Sequence, residues 1–416
     1  MQMNIEWKIL MNRFKIPKIR FMNFNDKWKY IILSEISNSI EYGLNASAKD
    51  FDGIHKYLRI TDIDDSSRLF LTDKLSSPDV NFSEEDYENY KLQKNDLLFA
   101  RTGASVGKTY LYRESDGEVY YAGFLIRARL RDSFDGNFVF QQTLTDKYKQ
   151  FIEITSQRSG QPGVNGKEYG EWKIGMTSYH EQSAIGSLFR TIDDLLASYK
   201  DNLANYQSFK ATMLSKMFPK AGQTVPEIRL DGFDGKWKKD TLEPYLTESR
   251  ISGDTGLTAK KITVKLWGKG VIEKEEKYAG SSNTQYFVRK AGQFIYSKLD
   301  FQNQAFGIIP NELDGYQSTL DLPSFDIQNI DSKFLLEYVM RREFYEYQGL
   351  IANGSRKAKR IHPEDFLVMP VRIPSLEEQR AIGAYFSNLD NLIAAHQEKI
   401  SQLETLKKKL LQDMFI

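Results

Sequence analysis

Residues 181–218, EQSAIGSLFRTIDDLLASYKDNLANYQSFKATMLSKMF, return without a gap at 378–415 as EQRAIGAYFSNLDNLIAAHQEKISQLETLKKKLLQDMF, at a constant offset of 197. Thirteen identities over these 38 positions are too many for coincidence, so an internal repeat organises the chain. A second echo lies upstream at offset 209, where Pro17, Ile19-Arg20, Phe24 and Lys27-Trp28-Lys29 recur as Pro226, Ile228-Arg229, Phe233 and Lys236-Trp237-Lys238. One unit is therefore used twice, roughly over 17–220 and 226–416, joined by the short polar stretch 221–225.

The repeated stretch reads as a long helix with a coiled-coil seam. In the first copy Ile185, Phe189, Ile192, Leu196, Tyr199, Leu203, Tyr206, Met213 and Met217 fall in steps of four and three, with Lys210 filling the one longer gap. The second copy supplies Ile382, Phe386, Leu389, Ile393, His396, Ile400, Leu403, Lys407, Leu410 and Met414, with its lysine at the same seam position. A polar seam residue lowers stability but fixes register and orientation. No proline interrupts either copy, and 38 helical residues extend ~57 Å. Leu195, Phe209 and Leu214, with Leu392, Leu406 and Leu411, widen the apolar stripe beyond a two-stranded contact, which predicts a further packing surface.

The segments between the repeats, about 30–178 and 239–374, share almost no sequence but the same order of elements. Strand-type runs come first (97–99 and 120–130; 285–288 and 293–296), then a helical stretch (137–154; 332–347), then a Gly-containing polar loop and a short strand. Two modules of one layout and unrelated surface suit two different targets. The polar loops carry residue types that read base edges or hold phosphates. Candidates for DNA contact there are Arg158, Gln161, Asn165 and Lys167 in the first module, and Ser355, Arg356, Lys357, Lys359 and Arg360 in the second. Arg101, Ser105 and Lys108 at a turn, and Lys261, Lys265, Lys269 and Lys298, complete the candidate set.

Lys plus Arg total 57 against 56 Asp plus Glu, so any basic surface must be local. There is no cysteine, which excludes disulfides and thiolate sites and suits a reducing cytoplasm. No apolar run reaches the roughly 20 residues of a membrane span. The stretch 103–109, GASVGKT, has three residues between its glycines where a nucleotide-binding loop needs four, so it reads as a tight turn. No two prolines are adjacent, which removes the Pro-Pro motif of amino-methyltransferases. The four histidines lack metal-ligand spacing, and Glu171-Trp172-Lys173 and Glu275-Glu276-Lys277 lack the Pro-Asp partner of a nuclease signature. No catalytic or metal-binding constellation is expected.

The doubled Pro-x-Ile-Arg…Phe…Lys-Trp and Glu-Gln-x-Ala-Ile-Gly…Phe…Asp segments, the Met-Phe ends and the run Asn95 to Gly103 resemble the specificity subunit of type I restriction–modification enzymes. The resemblance implies an α+β chain with a pseudo-twofold internal repeat, in which two mixed α/β target recognition domains are separated by two long antiparallel helices. On that basis residues 1–16 are an N-terminal extension, 17–178 the first recognition domain and 179–220 the central helix. Residues 221–225 are the linker, 226–374 the second recognition domain and 375–416 the C-terminal helix. The resemblance further implies a non-catalytic subunit that binds a bipartite, asymmetric site in double-stranded DNA. It would dock two modification subunits, which bind S-adenosylmethionine and methylate adenine N6, and motor–nuclease restriction subunits; this chain would bind no cofactor itself. The competing reading is a coiled-coil protein–protein scaffold without DNA binding.

Overall fold

The computed structural model describes residues 16–157, 160–275, 280–351 and 360–416. The chain divides into two compact units, one formed by residues up to Asp201 with Glu398–Ile416, the other by Asn202–Gln397. The division cuts both long helices, Tyr179–Lys216 (the central helix) and Leu376–Asp413 (the C-terminal helix). Each unit thus owns one module, the opening half of the helix that follows it and the closing half of the other helix.

The first module is built on a four-stranded antiparallel sheet in the order 37–42, 125–130, 96–100, 109–111. The second repeats that order with 246–249, 324–327, 294–296 and 306–308. The central strand is buried on both faces, and its two-residue period sends alternate side chains to different cores. Leu97 and Phe99 join the core shared with the helices, whereas Leu98 and Ala100 join a second cluster with Leu58, Ile63 and Phe70. In the second module Phe294 and Tyr296 take the first role and Ile295 the second.

Each single helical stretch expected from the sequence is instead two helices. Gly136–Gln142 and Asp146–Thr155 are separated because Thr145 caps the second one, its hydroxyl accepting from the Tyr148 N–H at 3.4 Å. Ser332–Met340 and Arg342–Gln348 are separated at Arg341, whose backbone is extended (φ −72°, ψ 141°). Such short polar breaks leave the apolar period intact, which is why the pattern alone hides them.

The repeated motif is the apparatus that fixes each helix start to its module. Glu181 is fully buried and accepts from Arg20 at 2.6 and 2.7 Å and from the Trp28 indole at 3.2 Å. Glu378 accepts from Arg229 at 2.9 and 2.7 Å and from Trp237 at 3.3 Å. The neighbouring amides bridge two backbones: Gln182 accepts from the Asp135 N–H and donates to the Thr177 carbonyl, as Gln379 does with Asp331 and Pro374. Asp135 and Asp331 in turn cap the first module helices by accepting from Phe138 and Phe334. The offset-209 echo and the offset-197 repeat are therefore two halves of one buried ion pair.

The Met-Phe helix ends fill the cores. Phe415 stacks on Phe189 at 5.6 Å and meets Trp28 and Phe138 in the first unit, and Phe218 meets Trp237, Phe334 and Phe386 in the second. Burying each such ring contributes about 1.5–3 kcal/mol. Of the expected seam residues, Ile185 and Phe189, and Ile382, Phe386 and Leu389, are absorbed into these module cores. A purely helical seam remains at Ile192, Leu196 and Leu403, with Tyr199 and Ile400 half-buried beside it; Leu203 and Ile393 are half-buried without joining it. Within each unit the helices run antiparallel, shown by Asp193 with Lys407 and Lys200 with Glu404 in one, and Tyr206 with His396 and Lys210 with Asp390 in the other. No helix of the described residues is long and apolar enough to cross a membrane.

Candidate nucleic-acid interface

The two modules present a cation at the same place, one residue or two beyond the end of the central strand. In the first, the Arg101 N–H donates to the Phe124 carbonyl at 3.1 Å, and the Arg101 carbonyl accepts from the Val164 N–H at 2.9 Å. In the second, Lys298 donates to Asp321 at 2.9 Å and accepts from Ile361 at 3.1 Å, the same ladder at offset 197. The polar loop of each module is therefore tied by its last residues to this strand end. In the first, Thr102 bridges Gly163 and the Gly103 N–H donates to Pro162 at 3.0 Å.

Arg101 is the best placed of the predicted contacts. Its guanidinium lies over the Tyr42 ring at 5.1 Å and near the Phe124 ring at 6.0 Å, and makes no ion pair among the described residues. The ring contacts position the guanidinium, and among the described residues no ion pair or side-chain hydrogen bond occupies its N–H fork, the state suited to bidentate recognition. It lines a cleft of about 600 Å³ with Tyr42, Arg59, Thr61 and Phe124. Phe124 is 61% exposed. Tyr42 and Phe124 are hidden in the sequence pattern, because the run 120–130 reads as one strand. It is two strands, Val119–Tyr121 and Leu125–Leu130, and the turn between them lifts Phe124 out. The Ala-Gly before Phe124 was the available signal.

Beside Arg101, Gln161 and Lys167 are exposed and Ser105 is half-buried in the turn 103–105. The turn after the strand is as expected, with Gly103 and Gly107 at φ of 76° and 83°. It is braced by Tyr169, whose hydroxyl donates to Ala100 and accepts from the Gly107 N–H.

Several predicted contacts are engaged inside the protein instead. Lys108 is buried, donates to the Ile63 carbonyl at 2.7 Å and pairs with Asp65 at 2.6 Å, so its charge is already matched. Asn165 is a helix cap, its side chain accepting from Glu168 while Glu168 returns a bond to its N–H. Lys261 is buried with its ammonium on the Gly256 carbonyl at 2.6 Å and over the Tyr286 ring. Lys298 is buried too, and loss of solvent holds its pKa below the ordinary lysine value despite nearby Asp321. Arg360 pairs with Asp321 at 3.2 Å. The common cause is that a long lysine or arginine stem reaches core carbonyls and acids that sequence spacing does not reveal. Lys265 and Lys269 are exposed at a hairpin tip. Arg158, Ser355, Arg356, Lys357 and Lys359 lie outside the described residues.

Of the six residues expected to widen the helix stripe, Leu214 and Leu411 are partly buried against the module cores. The other four stay more than two-fifths exposed: Leu195 (42%) and Leu406 (45%) in one unit, Phe209 (47%) and Leu392 (43%) in the other. They form two repeat-related pairs. Among the described residues no group of three or more His, Asp or Glu side chains is placed to hold a metal.

Residues 323–405 match the family described as type I restriction modification DNA specificity domain. The type I restriction enzyme MjaVIII specificity subunit of Methanocaldococcus jannaschii is 20% identical over 387 residues, 87% of this chain and 85% of that one. The putative MjaX specificity subunit of the same organism is 20% identical over 413 residues, covering 93% and 92%. The EcoKI specificity subunit of Escherichia coli is 25% identical over 243 residues, 55% of this chain and 50% of that one. In fold, the chain is similar to the type I restriction–modification S subunit from M. genitalium, with a TM-score of 0.63, 14% identity, and coverage of 97% of this chain and 99% of that one.

Proposed function

We propose that this chain, which is similar to the type I restriction–modification specificity subunits, is the sequence-reading, non-catalytic part of such a complex. Each module recognises one half of a split, asymmetric site in double-stranded DNA. The observation that carries this reading is one backbone framework with two different surfaces. At the equivalent strand end, the first module offers an unpaired arginine between Tyr42 and Phe124, the second a buried lysine beside the Arg360–Asp321 pair. A shared scaffold with unlike side chains is what two unlike half-sites require.

Two modification subunits dock on the helices, and the repeat-related exposed residues Leu195 and Leu406 in one unit, Leu392 and Phe209 in the other, support an equivalent apolar contact on each unit. S-adenosylmethionine belongs to those partners, which flip and methylate the target adenine at N6. Motor–nuclease subunits join the same assembly, and work on DNA, like the absence of cysteine, supports a cytoplasmic location. The competing reading, a coiled-coil protein–protein scaffold without DNA binding, is supported by the near-zero net charge and by the wide apolar stripe of the helices.

The test is methylation by the complex assembled with its modification subunits, followed by mapping of every methylated adenine. One bipartite, asymmetric motif is expected, and none from the chain alone. Methyl transfer by the chain alone, or methylation without sequence preference, overturns the proposal. Replacing Arg356, Lys357, Lys359 and Arg360 by Gln together is expected to weaken DNA binding and flatten its dependence on salt.

A further inference from the structure

Strands Ile262–Val264 and Val271–Glu273 form a hairpin whose inward residues Ile262, Val264 and Val271 are buried with Ile295 and Ala305. The tip, Lys265-Leu266-Trp267-Gly268-Lys269, stands clear of that core. Trp267 is 58% exposed and Leu266 38%. Trp267 also holds a left-handed backbone at φ 61°, a conformation that a bulky side chain rarely adopts. The tip is held there by successive N–H groups: Trp267 donates to the Asn303 carbonyl at 2.8 Å and Gly268 to Gln304 at 3.0 Å. Gly268 takes φ 65°, a conformation that favours glycine, and a Cβ there would also displace the Met340 methyl. The anchoring segment is the same strand-end loop that begins at Lys298.

Nothing in the fold requires an aromatic ring at this tip. The first module has a comparable hairpin, with Ile63 bridging Phe70 and Arg68 at φ 60°, but its tip is Asp64-Asp65-Ser66-Ser67 and serves to neutralise Lys108. In the second module the tip instead combines an exposed indole with cations. Residues 260–272 contain four lysines and no acid, and Lys260, Lys265 and Lys269 are exposed. Neither Lys265 nor Lys269 has an ion-pair partner among the described residues.

We infer that Leu266 and Trp267 form an apolar wedge that enters a groove of duplex DNA beside the second half-site, with Lys265 and Lys269 on the flanking phosphates. Duplex DNA is the partner that offers apolar base faces between two rows of negative charge, and apolar wedges inserted at a base step unstack it and bend the helix. An acidic protein would match the lysines but lacks the two phosphate rows that flank an apolar base step. This inference rests on the DNA-reading role proposed above.

The test uses the full chain assembled with its modification subunits and a duplex carrying the mapped motif, labelled at both ends for energy transfer. Trp267→Ala is expected to weaken binding about 10- to 100-fold, as loss of one stacked ring does, and to straighten the DNA. Trp267→Phe keeps most of both. Lys265→Gln with Lys269→Gln should leave the bend and lower the salt slope by about 2. Wild-type affinity and bend in Trp267→Ala overturn the wedge while leaving DNA reading intact. Loss of subunit assembly in Trp267→Ala, with DNA affinity kept by what assembles, marks a protein-docking tip and also overturns it. If the wild-type complex shows no sequence-specific binding, the broader proposal fails first.

Discussion

Lys210 forms an ion pair with Asp390 at 2.7 Å, and at offset 197 the same contact recurs with the partners' origins exchanged, Lys407 with Asp193 at 2.6 Å. The two contacts differ in one neighbour. Lys210 also meets Glu337 at 2.9 Å, whereas at the matching helix position Gln141 donates to Asp193 at 3.0 Å. A seam lysine that would be a defect in an isolated pair of helices is thus a register pin, matched by the aspartate of the repeat motif.

Charge reversal should therefore act unequally. Lys210→Glu faces two carboxylates and is expected to lose stability, by less than the ~3–5 kcal/mol of a fully buried pair because Asp390 is half-exposed. Lys407→Glu faces one and should lose less. The exchange Asp193→Lys with Lys407→Asp should recover part of the loss. Denaturant unfolding of each variant measures this, and unchanged curves for both single variants would remove the pin.

The Lys210 contact should also fail at alkaline pH. Burial opposes its charge, but Glu337 and Asp390 outweigh burial and hold its pKa above the ordinary 10.5. A pKa raised on folding means stability present below the ordinary value and lost as pH climbs through the raised one. The stability gap between wild type and Lys210→Met should narrow as pH rises above the ordinary lysine range. A gap that stays constant would exclude the linkage.

Glu181 and Glu378 each hold an arginine and a tryptophan at a helix start. Glu378→Gln removes the charge and one of the two oxygens that accept from Arg229, putting an NH2 donor in its place beside the buried guanidinium, and is expected to lose about 3–5 kcal/mol. Glu181→Gln should lose a similar amount. Thermal unfolding followed by helical circular dichroism reports both.

Gly186 and Gly383 lie against the capping aspartates, where an added Cβ would meet Asp135 Oδ1 at 2.3 Å and Asp331 Oδ1 at 2.6 Å. Alanine favours the helix by about 1 kcal/mol, yet each Gly→Ala change should destabilise by roughly 1–3 kcal/mol through the clash. A stabilised variant in urea unfolding would show that the helix can shift away from its module.

Arg101→Ala should relax recognition at one position of the first half-site, by about 1–3 kcal/mol if the fork reads a base. Arg101→Lys should not restore it, because an ammonium lacks the planar fork. Methylation mapping of the variant complex gives the answer; a uniform loss across sequences would assign Arg101 to a phosphate.

The architecture was legible because it is written in a long-range repeat and in two periods, steps of four and three along the helices and alternation in strands such as Leu97-Leu98-Phe99. The interface was only partly legible. Arg101, Gln161, Lys167, Lys265 and Lys269 are accessible, but Lys108, Lys261 and Lys298 were indistinguishable from them by residue type. A lysine's stem is long enough to point either way, and whether it finds a core carbonyl depends on strands distant in sequence.

The sequence by itself determined that one unit is used twice, that each copy ends in a long helix, and that the Glu-Gln and Met-Phe positions matter in both. Tertiary structure decided why they matter: Glu181 and Glu378 neutralise buried arginines from the upstream echo, and Phe415 and Phe218 close cores built by residues far from them in the chain. It also decided which cations remain free to meet a ligand. Local pattern encodes period and propensity, whereas desolvation and pairing of a charge depend on which distant groups surround it, and those are set only when the chain has folded.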